Sequence, residues 1–297
     1  MNDFSPNLNY YRPSGAFSLP GVILTLIVGV VAGIVLGCIY AFVNHHDPLL
    51  YLNILLAAGF GLALGWLVTF GVRRFEIRNP TIAVILAFLV FLVAYLVHWV
   101  AYVAVLLASF EGFSFDFAYI AETFTALLGA PDVLLELIKE INREGVWNIT
   151  SNSSADGIEV KGMFLAGIWI AEALTILYYT CRQPLRQAQK PYSEQSGKWL
   201  EPQDMPLPIA HTSKDELESA IARNDYKTLS SPLPPVSENE EETASGGYAV
   251  VTLYPDAFEP CVSVRNVTVK KKRKKKTSTP RRFCRLSRFL RQSPRAS

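Results

Sequence analysis

One acidic side chain, Glu172, lies near the centre of an apolar stretch, residues 163–180, and is the residue best placed to do chemistry. A stretch of this kind approaches the roughly 20 residues that cross a bilayer. An ionised carboxylate at such a depth costs at least a few kcal/mol, so it must be protonated, paired or turned to a polar cavity. We expect a neutral Glu172, hydrogen-bonded to a hydroxyl or a backbone carbonyl. A polar contact between helices is the favoured role, and a proton- or ion-linked site is the alternative.

His98 is the one ionisable candidate partner for Glu172, because no Lys or Arg lies within any apolar stretch. Counted at 1.5 Å per residue, His98 lies about 24 Å above the cytoplasmic end of its stretch and Glu172 about 12–14 Å from either end of its own. The two side chains are therefore predicted not to meet. Tyr95, Trp99 and Tyr102 beside His98 are typical of an interfacial aromatic belt, which is the predicted environment of His98.

Other patterns that could carry chemistry are weak. His45, His46 and Asp47 combine metal-ligand types, but adjacent histidines in a short loop do not easily face one ion, so a solvated turn is favoured. The cysteines are scattered along the sequence, which excludes a Cys-x-x-Cys metal site and an extracellular disulfide framework. We expect ordinary free thiols at Cys38, Cys181, Cys261 and Cys284. No phosphate-binding glycine loop, nucleophile elbow or metalloprotease helix motif occurs. We expect no enzyme activity, no cofactor and no metal.

Four stretches are long and apolar enough to cross a bilayer: 21–43, 50–72, 82–108 and 163–180. Half of the 297 residues are hydrophobic and only 18% are charged, against about 25% in ordinary soluble chains. The sequence therefore predicts an all-α integral membrane protein with four transmembrane helices in residues 21–182, after a cytoplasmic segment 1–20. The first stretch is too long for a cleaved signal peptide and is expected to be retained.

The basic residues of the connections predict the orientation. Residues 44–49 contain no Lys or Arg, residues 73–79 contain three, and Arg182, Arg186 and Lys190 follow the fourth stretch. Because cytoplasmic connections carry an excess of Lys and Arg, both termini are predicted to be cytoplasmic, in a plasma membrane or a bacterial inner membrane.

Two stretches carry small residues at four-residue spacing, which lets helix backbones approach closely in lipid. We expect the first two helices to pack as a tight antiparallel hairpin through these rows, and the same rows could support self-association of the chain. The rows are Gly29, Gly33 and Gly37 in the first stretch and Ala57, Gly61 and Gly65 in the second.

The loop 109–162 is predicted to lie outside the membrane and to carry two amphipathic helices. One begins at Pro131 and ends at Gly145, with apolar residues at helical spacing; the other covers 117–128. A cap on the bundle is favoured over a binding site. Glycosylation patterns begin at Asn148 and Asn152 and have meaning only in a eukaryote.

Residues 183–297 are predicted to form a largely disordered cytoplasmic tail, because Pro, Ser, Glu and Lys dominate it. Ser213 and Glu216 have the spacing of a capping box and predict a short helix over 213–223. Two β-prone runs predict a hairpin over 248–269, whose exposed edge could accept a partner strand.

The end of the chain, 270–297, holds 13 of the 28 Lys and Arg and no Asp or Glu, leaving 15 basic and 26 acidic residues elsewhere. This split excludes a uniformly basic nucleic-acid binder. Seven consecutive basic residues precede an apolar pattern at helical spacing, which predicts a basic amphipathic helix on anionic lipid headgroups. Nucleic-acid binding is the less favoured alternative. The residues expected to contact lipid include Lys270, Lys271, Lys272, Arg273, Lys274, Lys275, Lys276, Arg285 and Arg288.

From these features we expect a multi-pass membrane scaffold or adaptor whose basic tail binds anionic lipid or a protein partner. The alternative is a small transporter or channel subunit that uses Glu172.

Overall fold

The computed structural model describes residues 11–46, 50–112, 116–145, 147–149, 158–204, 209–210, 248–259, 261–268, 276–277 and 281–284. It divides into two compact units. We call Ser14–Gln189 the helical unit, and Lys190–Ser297 together with Met1–Pro13 the sheet unit.

Four helices of the helical unit are long and apolar enough to cross a membrane: α1 (Leu19–His46), α2 (Leu50–Arg74), α3 (Pro80–Phe110) and α6 (Met163–Ala188). The prediction of a mostly helical protein with four such helices is confirmed. The helices exceed the predicted ranges, most of all at α6, which continues past Thr180 to Ala188. Gln183 holds this end of α6 on α2, because its side-chain amide donates to the carbonyl oxygen of Leu62 at 2.9 Å. The Thr180 hydroxyl lies 3.3 Å from the carbonyl oxygen of Gly61 and 2.8 Å from that of Ile176 in its own helix.

Between α3 and α6 lie α4 (Phe117–Gly129), α5 (Pro131–Glu144) and an antiparallel pair of short strands, β1 (Trp147–Ile149) and β2 (Ile158–Val160). Asp116 caps α4 by accepting from the backbone N–H groups of Ala118 and Tyr119. Pro131 opens α5, and Gly145 follows it with a φ of 85°, where a side chain would be strained. Both helices lie where the sequence predicts helices, and their apolar faces pack on the C-terminal part of α3.

The glycine rows pack differently from the prediction. The α1 row faces α3, since a Cβ on Gly37 would lie 2.7 Å from the carbonyl oxygen of Ala94. The α2 row faces α6, since a Cβ on Gly61 would lie 2.7 Å from the carbonyl oxygen of Ile176. A four-residue spacing identifies one face of a helix but does not say which neighbour lies there. The expectation that both rows line the α1–α2 contact is therefore wrong. The other members of the rows are also enclosed by the chain. A Cβ added to Gly29, Gly33 or Gly65 would meet atoms of a neighbouring helix, and Ala57 is buried.

The described part of the sheet unit holds two sheets. β3 (Tyr192–Ser193) pairs with β4 (Lys198–Trp199). The second sheet is built on β7 and β8, which form an antiparallel hairpin, and its strands are β5 (Gln203–Asp204), β6 (Ile209–Ala210), β7 (Tyr248–Tyr254), β8 (Cys261–Thr268), β9 (Lys276–Thr277) and β10 (Arg281–Cys284). Parts of the segment predicted to be largely disordered are thus folded, and the buried apolar residues of β7 and β8 are Val251, Tyr254, Cys261, Val262 and Val264.

Both edges of the β7–β8 hairpin are paired within the chain, so the predicted exposed edge is wrong. β5 and β6 pair with β7, while β9 and β10 pair with β8. Residues 281–284 form a strand where a basic amphipathic helix was predicted. The predicted helix 213–223 and the residues Asp47, Asn152, Lys270–275, Arg285 and Arg288 lie outside the described residues.

The cysteines also depart from the prediction. Cys261 is disulfide-bonded, and the residue paired with it across β8 and β10 is Cys284. Cys38 and Cys181 are free. Pairing between strands brings together residues that are far apart in the sequence, which cysteine spacing alone does not reveal.

Asp256 holds the turn between β7 and β8. Its carboxylate accepts from the hydroxyls of Ser193 (3.0 Å) and Ser196 (2.6 Å) and from the backbone N–H groups of Phe258 (3.1 Å) and Glu259 (3.0 Å). Burial raises the pKa of Asp256, but these hydrogen bonds to the ionised form outweigh burial and hold the pKa well below its usual range. The turn is therefore built around an ionised carboxylate.

Candidate functional site

Glu172 lies inside the helical bundle, where side chains from two other helices contact its two carboxyl oxygens. The residue is 7% exposed. The hydroxyl of Tyr40 on α1 donates to Oε1 at 2.6 Å, and Nδ2 of Asn53 on α2 donates to Oε2 at 3.5 Å. The hydroxyl oxygen of Tyr40 also lies 3.1 Å from Oδ1 of Asn53. We call these three side chains the Glu172 ring, and it confirms the expected hydrogen bond to a hydroxyl.

The protons of the Glu172 ring can be counted. Tyr40 has a single hydroxyl proton but two neighbouring acceptors. When Glu172 is ionised, Tyr40 donates to it, and no proton is left between Tyr40 and Asn53 Oδ1. When Glu172 is protonated on Oε1, it donates to Tyr40, Tyr40 donates to Asn53, and Asn53 donates to Oε2. The neutral acid therefore satisfies all three contacts, as a buried polar cluster requires.

His98 lies beside this ring, so the prediction that Glu172 and His98 do not meet is wrong. Nε2 of His98 is 3.8 Å from Oε1 of Glu172. Because α6 continues to Ala188, Glu172 lies about 24 Å from the C-terminal end of α6, and His98 lies about 27 Å from the N-terminal end of α3. Those two ends lie at the same end of the bundle, so the side chains share one depth. The predicted stretch 163–180 ends eight residues before α6 does.

The predicted belt environment of His98 is also wrong, because His98 is 2% exposed. Aromatic rings surround it on the inward face of α3 and on α1. Its ring centroid is 4.7 Å from that of Tyr40 and 5.7 Å from that of Trp99. Tyr95 and Tyr102 complete the set at 5.9 and 6.1 Å. Aromatic spacing of three and four residues marks one helix face, and here that face is turned into the bundle.

A water-sized cavity adjoins the Glu172 ring. The space open to the centre of a water-sized molecule is about 10 Å³, close to what one water needs. Two buried atoms of residues that line the cavity, Asn44 Oδ1 and His98 Nδ1, have no hydrogen-bond partner in the described part of the chain. Unpartnered buried polar atoms are rare and require an explanation. The lining residues are Asn44, His98, Trp99, Tyr102, Trp169 and Glu172.

The histidines at the end of α1 are engaged elsewhere. Nε2 of His45 is hydrogen-bonded to the Ser109 hydroxyl at 2.8 Å, and Nδ1 of His46 to the Phe42 carbonyl oxygen at 2.8 Å. Within the described residues, no group of three or more His, Cys, Asp or Glu could hold a metal ion.

Sequence reasoning missed Tyr40, Asn44 and Asn53 as members of the site. A signal for them exists, because Tyr40 and Asn53 are polar residues inside apolar stretches and Asn44 lies one helical turn after Tyr40. Polar side chains in such stretches commonly hydrogen-bond between helices.

No family model matches this chain, and no curated protein or solved structure matches it. The described residues define a mostly helical protein with four helices long and apolar enough to cross a membrane.

Proposed function

We propose that this chain is an integral membrane protein whose bundle binds and releases a proton at Glu172, as in a small transporter or channel subunit. The observation that supports this function is the approach of His98 Nε2 to Glu172 Oε1, 3.8 Å apart within the bundle. Carboxyl and imidazole groups are the side chains that form proton relays in membrane pumps and transporters.

The Glu172–His98 pair can move a proton without changing its net charge. A neutral acid beside a neutral imidazole and a carboxylate beside an imidazolium both sum to zero. The transfer breaks the O–H bond at Oε1 and forms an N–H bond at Nε2 of His98. Since uncompensated charge in an apolar bundle is costly, this neutrality keeps both arrangements accessible.

The other groups that face Glu172 carry no opposing charge. They are Tyr40 and Asn44 from α1, Asn53 from α2 and Tyr95 and Tyr102 from α3. The Lys and Arg of the four long helices lie only near helix ends: Arg73, Arg74, Arg182 and Arg186.

A purely structural role for Glu172 accounts for less of the site. Contacts with Tyr40 and Asn53 are enough to satisfy a buried neutral acid and to join three helices. Such a role leaves the buried His98 and the two unpartnered atoms of the cavity without a purpose. A proton-exchanging site gives the buried His98 a role as the acceptor of the proton.

The test is proton flux into proteoliposomes, followed with a pH-sensitive dye under an imposed pH gradient. Glu172→Gln is the decisive variant, because its amide can donate to Tyr40 and accept from Asn53 just as the neutral acid does, yet it does not titrate. We expect flux to be lost while thermal stability is kept. Glu136→Gln, on the exposed face of α5, is the control and should conduct as the parent does. Equal flux in parent and Glu172→Gln overturns the proposal.

A membrane scaffold or adaptor is the second candidate function. It is favoured by the 13 basic residues of 270–297, together with a sheet unit that gives the tail a folded part. Each basic residue near an anionic leaflet contributes up to about 1 kcal/mol. In proteoliposomes, trypsin should cleave the tail more slowly in anionic than in neutral lipid, and salt should abolish the difference. Equal cleavage in both lipids argues against lipid binding.

We also propose that both termini are cytoplasmic, because the connection 73–79 is basic and 44–49 is not. The disulfide at Cys261 is an observation against this orientation, since cytosolic thiols are kept reduced. Labelling of intact cells with an impermeant maleimide distinguishes the two orientations. Asp47→Cys should react and Arg78→Cys should not; the opposite pattern reverses the orientation.

A further inference from the structure

We propose that the water-sized cavity beside Glu172 is a binding site for ammonium, which enters as Glu172 releases its proton. This inference rests on the proposed function, because it takes Glu172 to be the group that exchanges a proton. It adds the chemical class of the ligand: a monovalent cation of about the size of water that carries only hydrogen-bond donors.

The size of the cavity restricts the ligand. About 10 Å³ is open to the centre of a water-sized molecule, which is room for one such molecule. Ammonium has about the dimensions of water. Tetramethylammonium is far larger and has no N–H donor.

The unpartnered atoms of the residues that line the cavity require a hydrogen-bond donor. Asn44 Oδ1 is an acceptor. Nε2 of His98 lies 3.8 Å from Glu172 Oε1. Once Nε2 has taken the proton of Glu172 and His98 has released its other proton from Nδ1, Nδ1 is an acceptor as well. Ammonium has four N–H donors and no acceptor, so it can donate to more than one such atom. A water molecule can do the same, and it is the competing occupant.

The positive charge of ammonium distinguishes it from water as an occupant of the cavity. Glu172 and the aromatic residues Trp99, Tyr102 and Trp169 line the cavity, and carboxylates and aromatic side chains both attract cations. The exchange is balanced: the neutral acid and ammonium give the carboxylate, bound ammonium and one released proton. The site has no net charge before binding and none afterwards, as an apolar surrounding demands. The Tyr40 hydroxyl, 2.6 Å from Oε1, is already placed to donate to the carboxylate that forms.

Alkali cations suit the lining less well than ammonium does. Potassium sites in membrane proteins are built from rings of carbonyl oxygens. Half of the cavity lining is His98, Trp99 and Trp169, whose side chains carry no oxygen. N–H donors can use the imidazole nitrogen, which an alkali cation uses poorly.

The experiment measures proton release from the purified full-length protein in weakly buffered detergent solution on addition of ammonium chloride. Sodium chloride, potassium chloride and tetramethylammonium chloride at equal concentration are the comparison salts. We expect about one proton for each ammonium bound, and none with the other salts. Glu136→Gln should behave as the parent does.

Two variants test the site itself. Asn44→Leu removes one acceptor of nearly the same volume and should weaken ammonium binding about tenfold or more, since a hydrogen bond to a charged group is worth at least that factor. Glu172→Gln should release no proton. Thermal unfolding of each variant establishes that it is folded, and Trp169→Phe serves in place of Asn44→Leu if the latter does not fold, with weaker binding expected from the smaller aromatic face.

Each outcome has a separate meaning. Ammonium-specific release that is lost in both site variants supports the inference. Glu172-dependent proton flux without any ammonium-dependent release leaves the proposed function standing and overturns the ammonium site, with water as the occupant. Release that persists in Glu172→Gln places ammonium elsewhere and overturns the inference. Absence of both release and Glu172-dependent flux overturns the proposed function too.

Discussion

Replacing Gly61 by alanine is expected to push α2 and α6 apart. An added Cβ would lie 2.7 Å from the carbonyl oxygen of Ile176 and 2.9 Å from its Cα. Both are backbone atoms of α6, so no rotation of a side chain can relieve the clash.

The size of the effect follows from these distances. Ordinary van der Waals contact between heavy atoms begins at about 3.5 Å, so α6 must move away locally by roughly 0.5–1 Å. A gap of that size removes about a quarter to a half of the attraction between two atoms that were in contact. Overpacking of this kind costs typically about 1–3 kcal/mol. The Thr180 hydroxyl oxygen, 3.3 Å from the Gly61 carbonyl oxygen and 2.8 Å from that of Ile176, lies at the same contact, and its approach to Gly61 should weaken as well.

Gly59 supplies a matched control on the same helix. A Cβ on Gly59 would meet no atom within 4 Å, so Gly59→Ala tests the same change in composition without the clash. It should be neutral or stabilise by up to about 1 kcal/mol, because alanine is the better helix former.

Thermal unfolding in detergent or nanodiscs compares the two variants with the parent. We expect the Tm of Gly61→Ala to fall by about 2–4 °C for each kcal/mol lost, and the Tm of Gly59→Ala to stay or rise. The same Tm in both variants refutes the close approach of α2 and α6 at Gly61.

Three further predictions concern single side chains. Tyr40→Phe removes the hydroxyl shared by two buried partners and should lower the free energy of unfolding by about 1–3 kcal/mol; an unchanged Tm contradicts the Glu172 ring. Asp256→Asn should destabilise the sheet unit at pH 7. Because the folded-state pKa of Asp256 is lowered, the advantage of the native carboxylate is present above its ordinary pKa of about 3.9 and fades as the pH falls below that value, so thermal unfolding at pH 7 and pH 3 should show the difference shrinking. Alkylation of the denatured, unreduced protein should modify Cys38 and Cys181 but not Cys261 until a reductant is added; mass spectrometry of the peptides checks this, and modification of Cys261 without reduction contradicts the disulfide.

Much of the helical unit could be predicted from local features. Length and hydropathy identify the four long helices, because both properties belong to one continuous segment of chain. Pro131 and Gly145 mark the ends of α5 for the same reason. The end of α6 could not be found this way, since Pro184 and the basic residues around it resemble a helix end, whereas α6 continues through Pro184 to Ala188.

For Glu172, its position in an apolar helix could be predicted from the sequence, but its partners could not. The sequence by itself determined that a carboxyl group lies in an apolar helix without a Lys or Arg near it, and hence that it is neutral or needs a partner. Only the tertiary structure decided that the partners are Tyr40, Asn53 and His98, each from a different helix. Depth counted along one helix depends on where that helix ends, and the choice of neighbours depends on how helices rotate and pack against one another. Those are properties of the assembled bundle, and no single segment contains them.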